Sequence, residues 1–438
     1  MRREVAYESE QGNELKMAKS SISIVKGTEA EKMVEEAFSL LGGVRSLIRY
    51  NSIVVVKPNA GHVAPPESSV NTSPALVGAV IKELRKAHPK EIILAEASAI
   101  GCDTLECLKA SGIGKTAEEA GVDRILDIKR DQDLIDMPIR DARSDLTKVS
   151  LSRFLIEADH IVNLPIFKSH VSMIFTCALK NIKGVVQNKV HYLMHQTNLA
   201  AAMMDLWSVV RADLTIADLI RPMEGFGPHT GRAIDFGCIV AGKDPVAVDA
   251  TACRMVGLDI DKVDYFEAAS DRGLGAMEEN KIEIRGNSIK EVYKPLHLPY
   301  LAGFDAWPEY NFYTEHACSG CQSLAAFNMV KMKVLGEYDK YKGTNIVIGR
   351  RKELPEGVQP GKSLILMGDC LRPLRKKIGG DCVFVAGCPP FESSSYRGMV
   401  DREDQIERAP DAREIHRRES KIFMERLYGQ EEDRKDEC

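Results

Sequence analysis

The chain has 438 residues, which is enough for two domains, and its 44% hydrophobic and 28% charged residues are typical of a globular protein. Its formal net charge of −5 provides no basic surplus, so we expect no nucleic-acid binding. The polar N-terminal segment and the lack of any apolar stretch of about 18 residues predict a cytoplasmic protein without a signal peptide or membrane span.

Strand and helix patterns alternate through the N-terminal two thirds of the chain. Six apolar runs are predicted as strands: Ser21–Lys26, Ile53–Lys57, Ile92–Ala95, His160–Leu164, Leu214–Ala217 and Gly237–Ala241. The predicted helix starts are Thr28 with its capping-box partner Glu31, Ser73 before Pro74, and Asp244 before Pro245. This alternation predicts an α/β fold with a mostly parallel sheet and flanking helices, in which ligands bind beyond the carboxyl ends of the strands.

Composition divides the chain into four predicted segments. Residues 1–285 form the α/β domain, and residues 286–310, which contain several prolines and few helix signals, form a linker. A second, smaller α/β pattern covers residues 311–400 and is predicted to bind a cluster. Residues 401–438 are a run of mixed charges, for which we expect a solvated helix or partial disorder.

Five of the 11 cysteines lie between residues 318 and 388, which indicates metal or redox chemistry in a reducing compartment. Cys318 and Cys321 form a C-x-x-C pair before a helix, whereas Cys370 and Cys388 each follow an apolar strand. Loops at the carboxyl ends of parallel strands meet at one sheet edge, so we expect four thiolates together, the usual complement of a 4Fe–4S cluster. Cys382 begins the last strand at its opposite end and is predicted to pack in the core.

Two other interpretations of these cysteines stay open. Zinc also takes four cysteine ligands, but commonly from two C-x-x-C pairs, and only one such pair is present in this segment. Free cysteine is often buried without any metal, which is the third possibility.

The cysteine motifs occur in a recognisable order: C-S-G-C at 318–321, then G-D-C at 368–370, then G-C-P-P at 387–390. This order resembles the proximal-cluster domain of nickel–iron hydrogenase small subunits and their coenzyme-F420-linked relatives. The resemblance implies that Cys318, Cys321, Cys370 and Cys388 hold a 4Fe–4S cluster on a flavodoxin-like sheet. It covers roughly the last quarter of the chain.

Five segments in order along residues 50–260 resemble the domain of unknown function 362 family. They are VVVKPN (54–59), VNLPIFKSH (162–170), CALKNIKG (177–184), IADLIRPMEGFGPHTG (216–231) and VAGKDPVAVDATACRMVG (240–257). Members of this family are often linked to iron–sulfur domains of ferredoxin type. The cysteines of this chain are not spaced as in a ferredoxin, so the resemblance carries little information about function.

Basic and amide side chains accompany the predicted strand ends of the N-terminal domain. Because such groups bind carboxylates and phosphates through charge-assisted hydrogen bonds, we predict a pocket for a small anion. The predicted substrate-binding residues are Lys57, Asn59, Lys168, Asn181, Lys183 and His229, and the predicted catalytic residues are Lys180, His170 and Glu224. In the alternative interpretation the lysines are solvated and the neighbouring glycines only shape turns. His191 and His195, four residues apart, are expected at the surface or in the pocket.

The K-S-H motif is followed ten residues later by the first lysine of A-L-K-N-I-K-G. This spacing resembles, distantly, that of the nickel-pincer lactate racemases, in which it supplies a histidine and the lysine that carries the cofactor. The matching positions are His170 and Lys180. The glycine pair of the racemase motif is missing here, so the resemblance concerns the position of a pocket more than its chemistry.

Three functions remain open from the sequence. The first is a redox protein or oxidoreductase component whose cluster exchanges electrons with the N-terminal pocket or with a redox partner. The second is a non-redox, racemase- or isomerase-like enzyme for a small anionic substrate, and the third is an accessory protein that delivers a metal centre. No dinucleotide or phosphate-loop fingerprint is present, so nothing in the sequence predicts a nucleotide cofactor.

Overall fold

A computed structural model describes residues 19–195, 197–298, 304–402, 418 and 421–427, apart from the side chain at position 393. The strands of the N-terminal domain are β1 Ser20–Lys26, β2 Ile53–Pro58, β3 Glu91–Glu96, β4 Arg124–Asp127, β5 Leu134–Pro138, β6 Lys148–Ser152, β7 His160–Leu164, β8 Ile166–His170, β9 Ile174–Thr176, β10 Leu214–Phe226, β11 Thr230–Ala233, β12 Cys238–Gly242 and β13 Ile282–Gly286. Its helices are α1 Ala30–Leu40, α2 Val44–Leu47, α3 Pro74–Arg85, α4 Thr104–Ala110, α5 Ile113–Glu119, α6 Arg153–Glu157, α7 Ala178–Asn181, α8 Asn188–Met194, α9 Leu199–Trp207, α10 Pro245–Met255, α11 Asp264–Ser270 and α12 Ile289–Val292.

One large mixed sheet organises this domain, with the strand order β13-β1-β12-β10-β7-β2-β3-β4. The run from β10 to β4 is parallel, as is the pair β1–β13, whereas β12 is antiparallel to both of its neighbours. Beyond this path, β8 pairs with the far half of β10 and with β9, and β11 pairs with β10. The predicted α/β class with a mostly parallel sheet is confirmed.

Both faces of the sheet are buried, which explains why its central strands are continuous apolar runs. Side chains alternate between the faces along each strand, so Val55 packs in one hydrophobic core while Val54 and Val56 pack in the other. Helices α1, α3 and α5 contribute to the second of these cores, and α7, α9, α10 and α11 contribute to the first.

A second, smaller sheet follows in the chain. It contains β14 Asn311–Tyr313, β15 Asn345–Ile348, β16 Leu364–Met367 and β17 Val383–Val385, with helices α13 Ser319–Leu335, α14 Arg372–Lys377 and α15 Glu392–Val400. The four strands are parallel and lie in sequential order. A flavodoxin-like sheet has the order 2-1-3-4-5, so the described strands do not show the order that the hydrogenase resemblance implies.

The predicted starts of α3 and α10 are confirmed, and the Asp244 carboxylate accepts hydrogen bonds from Val246 and Ala247 at the start of α10. The predicted capping box at Thr28 is wrong, because α1 begins one residue after Glu29 and no side chain caps it.

The predicted linker, residues 286–310, is a packed connection in its described part. It includes α12, whose start is capped by Ser288 and Glu291 in a capping box. Leu296 belongs to the core of the first domain and Trp307 to the core of the second. The segment is therefore anchored in the cores of both domains, through Leu296 in the first and Trp307 in the second.

Part of the predicted tail, residues 401–438, is also packed. Residues 421–427 are helical, and the fully buried Phe423 lies 5.5 Å from Phe226 and 5.7 Å from Phe327 between ring centroids. The expectation of a solvated segment is wrong at this position, because Phe423 joins a core that both domains share. The rest of the predicted tail, apart from residues 401, 402 and 418, lies outside the described residues.

Candidate functional site

A cavity of about 520 Å³ lies where the two domains meet. Its lining includes the predicted residues Asn59, Lys168, His170, Lys180, Asn181, Lys183 and His229. Five of the chain's 10 histidines and three lysines line this one space, whereas Glu96 and Glu392 are its only carboxylates among the described residues. The cavity is therefore rich in hydrogen-bond donors and poor in negative charge.

Strand β8 supplies Lys168 and His170. Their side chains lie on the same face because residues two apart on a strand share a face. The Lys168 ammonium donates to Asn59 Oδ1 at 2.9 Å and to the Val70 carbonyl at 2.6 Å. His170 Nδ1 accepts a hydrogen bond from the Ser172 backbone N–H at 3.1 Å, so the proton of the neutral ring is on Nε2.

Helix α7 and the 3₁₀ turn that follows it, Ile182–Val185, supply Lys180 and Lys183. The helix is held in place by Asp249 on α10, which is fully buried and accepts hydrogen bonds from the backbone N–H groups of Ala178 (2.6 Å) and Leu179 (2.9 Å). Burial raises the pKa of Asp249 to about 7. Asp249 thus acts on the site by positioning the turn that carries the two lysines.

An amide chain connects these elements across the sheet edge. Asn59 Nδ2 donates to Asn181 Oδ1 at 2.9 Å, and Asn181 Nδ2 donates to Asn163 Oδ1 at 2.8 Å. Asn163 Nδ2 in turn donates to the Ala178 carbonyl at 3.2 Å. Since Asn59 Oδ1 also accepts a hydrogen bond from Lys168, this amide chain fixes the relative positions of β2, β7, β8 and α7.

Lys57 lies beside the cavity without lining it. Its ammonium is 3.0 Å from both carboxylate oxygens of Glu96, and both side chains are almost completely buried. Gly184 packs directly on this pair, because a Cβ there would lie 2.1 Å from Glu96 Oε1 and 2.5 Å from Lys57 Nζ. Lys57 is consequently committed to an internal ion pair and is not available to a ligand.

We call Lys168, Lys180 and Lys183 the lysine wall. Burial, together with the charge of Lys180, lowers the pKa of Lys168 to about 7, and burial alone lowers that of Lys180 to about 8. Burial and Lys180 also place the pKa of Lys183 well below its usual value. Lys183 Nζ lies 2.9 Å from His195 Nε2, whereas the Lys180 ammonium has no hydrogen bond or ion pair with any described residue. An anion bound in the cavity would supply the negative charge that no described carboxylate places beside the Lys180 ammonium.

Three of the five histidines of the cavity are kept neutral. Burial, followed by neighbouring cationic groups, holds the pKa of His62 and of His170 well below the usual value, and burial lowers that of His191 to about 3. The ring of His191 contacts the Lys183 carbonyl through Nε2, and the rings of His62 and His229 lie 5.1 Å apart. Neutral imidazoles can donate one hydrogen bond each to a ligand without adding charge.

Glu224, a predicted catalytic residue, does not line the cavity. Its carboxylate pairs with Arg232 at 2.5 Å and accepts a hydrogen bond from the His297 backbone N–H at 3.0 Å. It lies on the extension of β10, which the sequence predicted to end at Ala217, and its partners come from β11 and from residues after α12. Glu224 is therefore not part of the candidate site in the cavity.

The cysteine loops lie at the carboxyl edge of the second sheet, as predicted. Cys318 and Cys321 start α13, and Cys370 and Cys388 follow β16 and β17. A Cβ at Gly368 would lie 3.4 Å from Cys321 Sγ and 3.6 Å from Cys370 Sγ, so these sulfurs are within about 7 Å of each other. Within the described residues no three His, Cys, Asp or Glu side chains are close enough to hold one metal ion.

The four thiols also influence one another electrostatically. A hydrogen bond with Cys321 lowers the pKa of Cys318 to about 7, and the same contact followed by burial raises that of Cys321. Burial, and then the charges of Cys318 and Cys370, raise the pKa of Cys388 to about 12. Cys382 is buried in a different core, on the other face of the sheet from Cys321.

The cysteine loops rest against the lysine-rich cavity. The segment Pro389–Glu392, directly after Cys388, forms part of the cavity lining. The Cys388 backbone N–H donates to the His195 carbonyl at 3.3 Å, and the rings of His195 and Phe391 are 5.0 Å apart. A Cβ at Gly320 would lie 2.7 Å from the Ser172 carbonyl, so the C-x-x-C turn packs on the loop after His170.

Three components of the site were missed by the sequence analysis. His62 and the segment Pro389–Glu392 reach the cavity only through the packing of distant elements, for which local sequence contains no signal. Asp249 lies in the segment 240–257, which resembles the domain of unknown function 362 family. A single aspartate in an otherwise apolar helix pattern was the sequence signal that could have indicated its role.

A family model described as Domain of unknown function (DUF362) matches residues 54–254, which confirms that resemblance over this part of the chain. The thylakoid-associated protein sll1697 of Synechocystis sp. is 26% identical over 248 residues, which cover 53% of this chain and 72% of that protein. None of the helices in the described residues is long and apolar enough to cross a membrane.

Two solved structures are distantly similar. One is a Thermotoga maritima protein from a structural genomics programme, with 16% identity, a TM-score of 0.35 and coverage of 53% of this chain and 60% of its own. The other is the lactate racemase apoprotein of Thermoanaerobacterium thermosaccharolyticum, with 15% identity, a TM-score of 0.36 and coverage of 55% and 57%. The chain thus spans less than two thirds of either structure, and likenesses of this size carry no functional conclusion.

Proposed function

We propose that the chain is an iron–sulfur redox protein in which Cys318, Cys321, Cys370 and Cys388 bind a 4Fe–4S cluster beside a cavity for a small anion. The cluster would supply one-electron transfer when bound. The chemistry of the ligand set fits this group, since the three loops that carry the four thiols all lie at the carboxyl edge of one parallel sheet. Gly368 supports the fit, because its missing Cβ leaves space directly beside two of the sulfurs.

The residues of the cavity have separate tasks in this proposal. The lysine wall attracts the anion, and Lys180 provides the ammonium that has no protein partner among the described residues. His170 donates a hydrogen bond from Nε2, since its Nδ1 is engaged by Ser172. The amide chain from Asn59 to Asn163 keeps these donors in position.

The observation that carries the proposal is the shared boundary between the two sites. The residues directly after Cys388 line the cavity, and the Cys388 N–H is bonded to His195, which also contacts Lys183. An anion on the lysine wall would therefore lie next to the loops that hold the cluster. Proximity of this kind is what electron exchange between a cluster and a substrate requires.

The test is the iron and acid-labile sulfide content of anaerobically purified protein, together with its electron paramagnetic resonance spectrum after reduction. We expect about four irons per chain, and their loss in Cys318→Ser and in Cys388→Ser. Cys382→Ser is the control, because this thiol belongs to the same domain but is buried in the core on the other face of the sheet from Cys321, and the variant should retain its iron.

A second candidate is a non-redox enzyme acting on the same small anion. It is favoured by one observation, the neighbouring lysines Lys168 and Lys180 with pKa values of about 7 and 8, which suit proton transfer near neutral pH. Zinc or no metal in the wild-type protein would overturn the redox proposal and leave this candidate. Iron that survives in both cysteine variants would overturn the assignment of the ligands.

A further inference from the structure

A second pair of thiols opens onto the same cavity. The segment Cys102-Asp-Thr-Leu-Glu-Cys107 leads into α4, with Asp103 as the cap that accepts a hydrogen bond from the Glu106 N–H at 3.0 Å. In this arrangement the residue before the cap and the fourth helical residue face each other. Cys102 and Cys107 occupy these two positions, and Cys102 is close enough to raise the pKa of Cys107.

The two thiols differ in access. Cys102 is partly exposed and lines the cavity, whereas Cys107 is completely buried behind it. A molecule in the cavity therefore meets Cys102 and not Cys107. This is the arrangement of an attacking thiol and a resolving thiol.

A half-buried cation accompanies the pair. Lys129 donates hydrogen bonds from its ammonium to the carbonyls of Cys102 (3.0 Å) and Ala99 (2.8 Å). A nearby ammonium favours the thiolate, which is the nucleophilic form of cysteine. Contact with Cys102, followed by burial, raises the pKa of Cys107, so that this thiol keeps its proton while Cys102 reacts.

We propose that Cys102 and Cys107 form a redox-active dithiol that exchanges with small anionic disulfides entering the lysine-rich cavity. The Cys102 thiolate attacks one sulfur of the disulfide, and the other half leaves as a thiolate and takes up a proton. Cys107 then loses its proton and attacks Cys102 Sγ, which releases the second half as a thiol. Two protein thiols are oxidised to one disulfide, and one external disulfide is reduced to two thiols.

The charge of the cavity determines the class of disulfide. The lysine wall faces the same space as Cys102, and the lining contains only two carboxylates among the described residues. A disulfide that carries carboxylates is attracted to this space, whereas one that carries ammonium groups is repelled. The inference does not rest on the cluster, because none of the four cluster cysteines takes part.

The experiment uses the full chain, reduced and then freed of reductant without oxygen, with oxidised glutathione as the probe. After alkylation and digestion, mass spectrometry should find the peptides of Cys102 and Cys107 joined by a disulfide, and two molecules of glutathione released per chain. Cys107→Ser should instead accumulate a glutathione adduct on Cys102, and Cys102→Ser should give no adduct at position 107. A stable adduct on Cys102 in the wild-type chain, or unmodified thiols at both positions, would overturn the proposal.

Cystamine, a cationic disulfide, tests the substrate class. We expect oxidised glutathione to react at least about tenfold faster than cystamine, and Lys180→Met to reduce this preference. Equal rates would show that the cavity does not select anionic disulfides. Iron content measured on Cys102→Ser and Cys107→Ser should equal that of the wild type, so failure of the dithiol proposal and failure of the cluster proposal give different results.

Discussion

The Lys57–Glu96 pair and the lysine wall place buried lysines in opposite environments within one region of the sheet edge. Lys57 lies 3.0 Å from a carboxylate that is as deeply buried as itself. Lys168 and Lys183 are equally buried but contact only an amide, a carbonyl or an imidazole, and Lys180 has no side-chain partner among the described residues. The difference indicates that Lys57 serves the fold and the lysine wall serves a ligand.

Breaking the Lys57–Glu96 pair should have the largest effect. Glu96→Gln leaves the Lys57 ammonium buried opposite a neutral amide, so we expect the free energy of unfolding to fall by about 3–5 kcal/mol. Urea denaturation followed by circular dichroism measures this. The control is Glu31→Gln, whose ion pair with Lys82 is exposed, so its loss should leave the free energy of unfolding almost unchanged. A loss below about 1 kcal/mol for Glu96→Gln would contradict the structural role of the pair.

Removing a charge from the lysine wall should have the opposite consequence for stability. Lys180→Met deletes an ammonium without breaking a contact to any described residue, so we expect the free energy of unfolding to be unchanged or higher by about 1 kcal/mol. The variant should bind sulfate, used as a simple dianion, about tenfold or more weakly than the wild type, since a charge-assisted hydrogen bond contributes about 1.5–3 kcal/mol. Isothermal titration calorimetry measures the affinity. Unchanged sulfate affinity together with a large loss of stability would assign Lys180 to the fold.

The sequence predicted the placement of the cysteine loops better than the lining of the cavity, and the reason is physical. Each of the three cysteine loops follows its own strand by a few residues, so parallel strands alone determine where the loops meet. The lining of the cavity instead depends on how the segment from β8 to α7 packs and on contacts between the two domains. Local patterns correctly indicated Lys168, Lys180 and Lys183 as neighbours of a pocket. They could not distinguish Lys57, whose partner Glu96 comes from another strand, and they placed Glu224 in the site because β10 continues beyond its apolar run.

The smallest effect that we expect is a dependence of anion binding by the lysine wall on pH. The pKa values of Lys168 and Lys180, about 7 and 8, lie below those of lysine in an unfolded chain, so between pH 7 and 10 the unfolded chain binds more protons. Without an anion, the contribution of these groups to the free energy of unfolding should therefore rise with pH. Sulfate requires protonated lysines and keeps its own charge over this range. The increase in melting temperature that it causes should be several degrees at pH 6.5 and largely absent at pH 9.

The part of this pH dependence that belongs to Lys180 is the difference between the wild type and Lys180→Met, measured by thermal unfolding at both pH values. Other groups that titrate in this range, including Cys318 with its pKa of about 7, cancel in that difference. A sulfate effect that is the same at pH 6.5 and pH 9 in the wild type would mean that the anion binds away from the lysine wall, and the contrast between the two groups of buried lysines would then concern folding alone.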